Sequence, residues 1–148
     1  RMHEGGIATP LIAYWPARIP KNSFTDQVGH IIDFLPTFLD MAGAEYPKTH
    51  QDVELLPVEG MSLLEVLQKP ETTLPRADPL FWAFAGSRAI RDGRWKLAWD
   101  AKRKQWELYD MEADRTEMND LAAKKPELAQ SLAEKWEAWA ERTGVIRK

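Results

Sequence analysis

Histidines and carboxylates are the residues of this chain whose types and spacing could do chemistry. His30 and Asp33 are three residues apart, so on one helix face they could share a metal ion. The alternative, which we favour, is that Asp33 caps a helix while His30 makes a local hydrogen bond. His3-Glu4 has no second histidine at metal-binding spacing, and His50 lies in a polar loop. By themselves, these residues predict no metal centre.

Nucleophiles in catalytic patterns are absent from the sequence. The chain has no cysteine, which excludes disulfides, a thiol nucleophile and cysteine-bound metals. Ser62 lies in GMSLL and Ser87 in AGSRA, and neither matches the G-x-S-x-G turn of a serine hydrolase. Gly5-Gly6 lacks the Lys-Ser or Lys-Thr that follows a phosphate-binding loop. The net charge of −3 gives no reason to expect binding to nucleic acid or an anionic membrane.

The elements that would position a site are clearest in the second half of the chain. Gly86–Asp110 predicts three antiparallel strands, with Asp92-Gly93 as a type I′ turn between the first two. After that turn, large apolar residues alternate with polar or small ones and would share one face: Trp95, Leu97, Trp99, Trp106 and Leu108. A helix that begins at Pro126 carries Leu128, Leu132, Trp136 and Trp139 on one stripe. We expect this helix to cover the apolar face of the strands.

Shorter elements are predicted in the first half of the chain. Leu11–Trp15 is an apolar run between prolines and predicts a strand buried on both faces, and Val28–Ile32 predicts a second short strand. A helix is expected between an N-cap at Asp33 and a left-handed residue at Gly43. Ser62–Glu65 predicts a capping box for a further short helix.

A boundary is predicted where three prolines interrupt residues 69–79, before an additional strand at Leu80–Ala85. Residues 1–70 and 71–148 are therefore expected to be separate parts of an α/β to α+β protein. The chain begins at Arg1 and has no run of about 20 apolar residues that would span a membrane. We expect it to be a fragment or a processed product.

The seven tryptophans allow two interpretations. Their spacing suits a core, which we favour. The alternative is an exposed aromatic platform, which would make the chain a non-catalytic binding or interaction module, for example for carbohydrate.

Several motifs, in order, resemble those of one enzyme family. They are HEGGI, TPLI and WP in residues 3–16; HI-x-D, PT and LD-x-AG in residues 30–43; G-x-SLL in 60–64; RA-x-RDG-x-WKL in 88–97; WELYD in 106–110; and D-x-x-E-x-x-DL in 114–121. This series resembles the C-terminal portion of the sulfatases related to arylsulfatases.

The resemblance implies that residues 1–70 end a large, alkaline-phosphatase-like α/β domain. Residues 71–148 would then form a small C-terminal subdomain, an antiparallel sheet packed with a helix. The parent protein would be a sulfuric ester hydrolase, with a formylglycine made in a C/S-x-P/A-x-R motif and a calcium ion held by earlier residues. Among the four serines, Ser87 alone has this spacing, in SRAIR, but the resemblance places that segment in the RA-x-RDG strand. This stretch is therefore expected to supply scaffold and pocket rim, with no catalytic residue, no metal ligand and no activity alone.

One candidate site residue follows from the resemblance. The family's substrate-binding lysine would lie just before Arg1, so His3 is expected to contact substrate at the pocket rim. Many relatives carry a polar W-E-H-E-G-N loop where this chain has Trp82–Ser87, WAFAGS, so the leaving group is expected to differ.

Partners and location follow from the same resemblance. The expected partners are the upstream catalytic part of the same protein and a sulfate ester, with a homodimer of the fragment through its orphan strand. The family suggests a periplasmic or extracellular location.

Overall fold

The computed structural model describes residues 2–145 and divides the chain into two compact units. Leu11–Arg76 forms one, the middle unit. The other, the sheet unit, joins the first ten residues to the chain from Ala77 onwards. Whether residues 1–70 and 71–148 belong to different domains of a longer protein stays a prediction.

The sheet unit is built on a four-stranded antiparallel meander. Its four strands follow one another along the chain, and each is paired with its neighbour in the chain. Their bounds are Leu80–Phe84 (β3), Ser87–Asp92 (β4), Trp95–Asp100 (β5) and Gln105–Asp110 (β6). The predicted strands are thus confirmed.

The β4–β5 turn differs by one residue from the prediction. Asp92 pairs with Trp95, so the two loop residues are Gly93 and Arg94. Of these, Gly93 alone has a positive φ, +57°, whereas a type I′ turn needs positive φ at both central residues. The predicted type I′ turn at Asp92-Gly93 is therefore wrong. Glycine stands at the first central position, where it provides the left-handed conformation that a primed hairpin turn requires.

One face of the sheet forms the main core. Ile90, Leu97 and Leu108 align across three strands and are fully buried. Helix α4, Pro126–Arg142, begins with its proline in the first turn, as predicted, and ends just before Gly144. Its residues Leu132 and Trp136 pack on the three strand residues. At roughly 1.5–3 kcal/mol for each large side chain, this burial is the main stabilisation of the sheet unit.

Four tryptophans belong to this core or pack against it: Trp95, Trp106, Trp136 and Trp139. None of the seven is among the exposed large apolar residues. The ring of Trp139 stacks on Phe81 at 5.0 Å between centroids, and Trp106 meets Trp136 edge to face at 6.1 Å. The interpretation of an exposed aromatic platform is therefore wrong, because α4 covers the rings.

Short elements make up the middle unit. A 3₁₀ helix at Ile31–Asp33 leads into α2, Phe34–Ala42, which ends at Gly43 with φ +62°, as predicted. A two-stranded hairpin, β1 (Thr49–His50) with β2 (Val53–Glu54), precedes α3, Leu64–Gln68. In residues 2–145 the structure contains no helix with the length and apolar character needed to cross a membrane.

Two predicted strands do not form. Leu11–Trp15 has no regular secondary structure, and the Ile12 side chain is 90% exposed. A strand buried on both faces needs a neighbour on each side, and the extended pairs among the described residues of the middle unit are confined to β1 and β2. Val28–Ile32 is likewise unpaired, and its last residues enter the 3₁₀ helix.

The capping box at Ser62–Glu65 is also wrong. The Ser62 hydroxyl accepts from the Leu64 N–H at 3.2 Å, so it does not reach the Glu65 amide. The Leu63 N–H instead donates to the Thr37 hydroxyl of α2 at 2.9 Å.

Candidate functional site

The His30–Asp33 pair serves local structure. The Asp33 carboxylate is fully buried, and it accepts from the N–H groups of His30 at 2.7 Å and Met61 at 2.9 Å. It also pairs with the Arg76 guanidinium. Asp33 therefore closes a capping box that begins at His30. Asp33 also stands at the N-cap position of α2, as predicted, but its side chain makes no capping hydrogen bond to that helix.

His30 has a matching local role. Its Nδ1 accepts from the Ile32 N–H at 3.4 Å. Burial lowers the pKa of His30, Asp33 opposes that shift, and Arg76 adds to it. The local interpretation of this pair is thus supported. His50 lies exposed in β1. Within residues 2–145, no three His, Asp or Glu side chains are grouped so that they could hold a metal ion.

The HEGGI motif lies on the face of the meander that α4 does not cover. Its helix α1, Glu4–Ile7, is a single turn in which the Gly6 and Ile7 N–H groups donate to the His3 carbonyl. Met2 anchors the segment in an apolar layer formed with strand residues and the residue after β6: Ala89, Ala98, Tyr109 and Met111. The first residues of the chain therefore cover the second face of the sheet.

His3 contacts β6 on this face. Its Nε2 lies 2.8 Å from Oε2 of Glu107, and the Tyr109 hydroxyl donates to the same oxygen at 3.0 Å. Because a carboxylate accepts, Nε2 is assigned the proton. Nδ1 is buried and has no hydrogen-bond partner among the described residues. Burial and the bond to Glu107 raise the pKa of Tyr109, which keeps its phenol protonated as the donor.

Lys96 is the second centre of this cluster. Its side chain is fully buried, and its Nζ lies 2.6 Å from Oε1 of Glu4 and 2.8 Å from Oε1 of Glu117. Glu117 also accepts from the Glu4 backbone N–H, at 2.6 Å. Arg103 donates to the remaining oxygen of Glu107 at 3.1 Å. Each carboxylate of the cluster therefore already has a cationic or N–H partner.

Sequence reasoning missed this cluster, although the signal was present. The polar residues of β5 and β6 alternate with the tryptophans, which is also the pattern of a strand with one solvent-exposed face. One distinguishing feature is Ala98, because a small apolar residue in the polar row does not favour a solvent-exposed face. The other is the set of motifs. HEGGI supplies His3 and Glu4, and the other motifs supply one or two residues each: Lys96 from WKL, Glu107 and Tyr109 from WELYD, and Glu117 from D-x-x-E.

The loop at Trp82–Ser87 is a tight turn. Phe84 pairs with Ser87, and the two loop residues, Ala85 and Gly86, both have positive φ, +48° and +78°. This is the condition for a type I′ hairpin. The Phe84 side chain is largely exposed beside it. The turn therefore presents an apolar side chain at the place that the sequence analysis compared with a polar loop.

The motif series has counterparts in known proteins. A family described as "N-sulphoglucosamine sulphohydrolase, C-terminal" matches residues 1–142. An uncharacterized sulfatase of Schizosaccharomyces pombe is 30% identical over 147 residues, covering 97% of this chain and 26% of the relative. An N-acetylglucosamine-6-O-sulfatase of Bacteroides thetaiotaomicron is 31% identical over 146 residues, covering 90% of this chain and 25% of the relative.

Solved structures agree on the fold. BT4656, in complex with its substrate D-glucosamine-2-N,6-O-disulfate, is 28% identical with a TM-score of 0.57, and the match covers 86% of this chain and 27% of that one. Ps i-CgsB has a TM-score of 0.67 over the same shares; at 22% identity it supports the fold alone. The chain thus spans about a quarter of the length of the relatives that it matches.

Proposed function

This chain belongs to the sulfatase family and corresponds to its C-terminal portion, and from that premise we propose that the protein containing it hydrolyses sulfate esters. The observation that carries the proposal is the family match over residues 1–142, which includes every motif of the resemblance. Because the chain spans about a quarter of its relatives, the activity is proposed for the whole protein.

In this proposal the reacting groups lie outside the chain. A formylglycine would supply the nucleophile and calcium would balance the sulfate charge, both held by residues that the family carries in earlier segments. The acidic side chains of the cluster offer no free ligand set, because Glu4, Glu107 and Glu117 already have partners. We therefore assign to this chain scaffold and rim, and no step at a metal.

His3 is the proposed contact between this chain and the substrate. Glu107 holds one ring nitrogen, and the buried Nδ1 has no hydrogen-bond partner among the described residues. In the neutral ring, Nδ1 accepts from a hydroxyl of the leaving group, and in the protonated ring it donates to a sulfate oxygen. Two relatives are named for amino-sugar 6-sulfates, so we propose a sulfated carbohydrate as the substrate class.

The proposed partner is the remainder of the same polypeptide. The middle unit exposes apolar side chains that a longer protein would cover, among them Leu11, Ile12, Phe24 and Phe38. When the chain is alone, we propose that the same surface drives homodimerisation. A periplasmic or extracellular location is part of this proposal.

The test is expression of the whole protein followed by assays with 4-nitrophenyl sulfate and glucosamine 6-sulfate. We expect sulfate release that is lost when the Cys or Ser of a C/S-x-P/A-x-R motif outside residues 1–148 is replaced by alanine. Mass spectrometry of the peptide with that motif should show the formylglycine. A whole protein with neither the motif nor sulfate release would overturn the proposal.

A further inference from the structure

We infer that Lys96 is a positioning residue for the sulfatase reaction and that it acts through Glu4 and His3. The inference rests on the proposed function, because it takes the HEGGI segment to be the pocket rim. It adds that the C-terminal sheet, which holds no reacting group, sets where that rim lies.

The first step is that α1 cannot fix its own position. It has four residues, and isolated helices shorter than about 12–15 residues are marginal in water. Gly5 and Gly6 add backbone freedom that must be lost when the turn forms. The segment therefore depends on contacts from elsewhere in the sheet unit.

The second step is that Lys96 and Glu117 supply those contacts at one residue. Lys96 binds the Glu4 side chain at 2.6 Å, and Glu117 accepts from the Glu4 backbone N–H at the same distance. Side chain and main chain of Glu4 are thus both held. Lys96 also holds Glu117 at 2.8 Å, which joins the two contacts into one unit.

The third step concerns the reason for a charged cluster. Replacing a buried ion pair with apolar side chains often leaves stability unchanged or improved, so stability alone is a weak explanation for a fully buried lysine. The Lys96 ammonium group donates a hydrogen bond to Glu4 and lies 2.8 Å from Glu117, so it fixes the distance between the two carboxylates, which an apolar contact would not. The Glu117 backbone has φ +57°, an uncommon conformation for a residue with a side chain. The backbone conformation of Glu117 therefore restricts where its carboxylate can lie in the cluster.

The fourth step leads from Glu4 to His3. The His3 carbonyl accepts from two N–H groups of α1, so the turn and the histidine move together. Glu107 sets the ring orientation separately. Because misplacing a substrate contact by about 1 Å can lower a rate about a hundredfold, releasing Glu4 should lower activity without removing any group that touches substrate.

The experiment compares Lys96→Met/Glu117→Gln with the wild type in the whole protein, using glucosamine 6-sulfate, whose hydroxyls His3 can contact. The double variant removes one charge of each sign and keeps side-chain length to within one atom. At a temperature where circular dichroism shows both proteins folded, we expect kcat/KM to fall about tenfold or more. The fall should lie more in KM than in kcat, since the rim binds substrate.

Two matched controls separate positioning from loss of fold or charge. Lys135→Met removes the exposed ion pair with Asp92 and should leave kcat/KM unchanged. Leu132→Ala weakens the core on the opposite face and should lower the melting temperature while kcat/KM is kept. If Leu132→Ala reduces activity as much as the double variant at equal stability, the inference is overturned.

The coupling to His3 is the decisive measurement. His3→Ala should lower kcat/KM about tenfold in the wild type and less than about threefold in the double variant, because the rim there is already displaced. Equal losses in both backgrounds would overturn the inference while a working wild type upholds the proposed function. A wild type that releases no sulfate overturns both. Should the double variant not fold, Glu4→Gln alone gives the same comparison, because it removes the charge that Lys96 binds on Glu4 and leaves Lys96 paired with Glu117.

Discussion

The indole N–H of Trp136 donates a 3.0 Å hydrogen bond to the backbone carbonyl of Trp82, which joins α4 to the edge strand β3. The Trp136 ring is 1% exposed, and Arg88 lies over it at 5.1 Å from its centroid. One side chain thus combines apolar burial with a polar contact to the sheet backbone.

Trp136→Ala should therefore lower the free energy of unfolding by roughly 3–5 kcal/mol, the usual range for deleting a core aromatic. Urea unfolding of the chain, followed by circular dichroism, measures the loss. The control is Glu141→Ala, an exposed residue of the same helix, which should stay within about 0.5 kcal/mol. Equal small losses in the two variants would mean that α4 does not dock.

Acid should destabilise the sheet unit through Asp114. Its carboxylate accepts from the N–H groups of Met118 at 2.9 Å and Asn119 at 2.7 Å, and these bonds lower its pKa. A lowered folded-state pKa means that the stabilisation is present above the ordinary Asp value of about 3.9 and is lost as pH falls through the folded-state value. In Asp114→Asn, the urea midpoint should fall less between about pH 6 and about pH 3 than in the wild type. An equal fall in both proteins would contradict the assignment.

Sequence periodicity was sufficient to predict the elements whose apolar pattern is local. The apolar residues of β4, β5, β6 and α4 repeat at the periods of their own elements, so the meander and its covering helix could be predicted. The hairpin turn was placed within one residue, because both Asp-Gly and Gly-Arg are compatible with a primed turn and register decides between them.

The cluster around Lys96 could not be predicted by the same means. Its partners Glu4 and Glu117 lie 92 and 21 residues away, and no local period reports such pairs. A buried lysine also contradicts the general rule that places lysine in water. The prediction of a strand at Leu11–Trp15 was wrong for a related reason. Apolar content predicts burial, but burial as a strand depends on neighbouring strands that no local pattern specifies.

The chain alone should not hydrolyse 4-nitrophenyl sulfate, with or without added calcium. It has no cysteine, and its one serine with the C/S-x-P/A-x-R spacing, Ser87, begins strand β4 and pairs with Phe84 in the β3–β4 hairpin. The covalent nucleophile of the proposed mechanism is assigned to an earlier segment of the whole protein and is therefore missing from this chain. Removal of a nucleophile typically lowers kcat by several orders of magnitude. Turnover by a contaminant-free preparation, assayed beside the whole protein at equal molarity, would show this prediction to be wrong.

Gly60→Ala should destabilise the middle unit. A Cβ at this position would lie 2.1 Å from the Ile32 carbonyl oxygen and 2.5 Å from its carbon, so the backbone of the 3₁₀ helix would have to move. Overpacking of this kind typically costs about 1–3 kcal/mol. Gly5→Ala is the control, since a Cβ there meets nothing within 4 Å. Urea unfolding curves that are the same for Gly60→Ala and Gly5→Ala would contradict the close approach.

The isolated chain should self-associate through the middle unit. Ile12 is 90% exposed and Phe38 is 60% exposed, and large exposed apolar side chains in one unit favour an interaction surface. At high micromolar concentration, light scattering should give a mass above that of one chain. Ile12→Asp/Phe38→Asp should return the mass toward one chain, because each aspartate would have to be desolvated in the contact. Ala17→Asp is the control: it adds a charge at an exposed position of the same unit without removing a large apolar side chain, and it should leave the association intact. A single-chain mass for the wild type would remove the basis for a homodimer, and dissociation by Ala17→Asp would assign the effect to net charge.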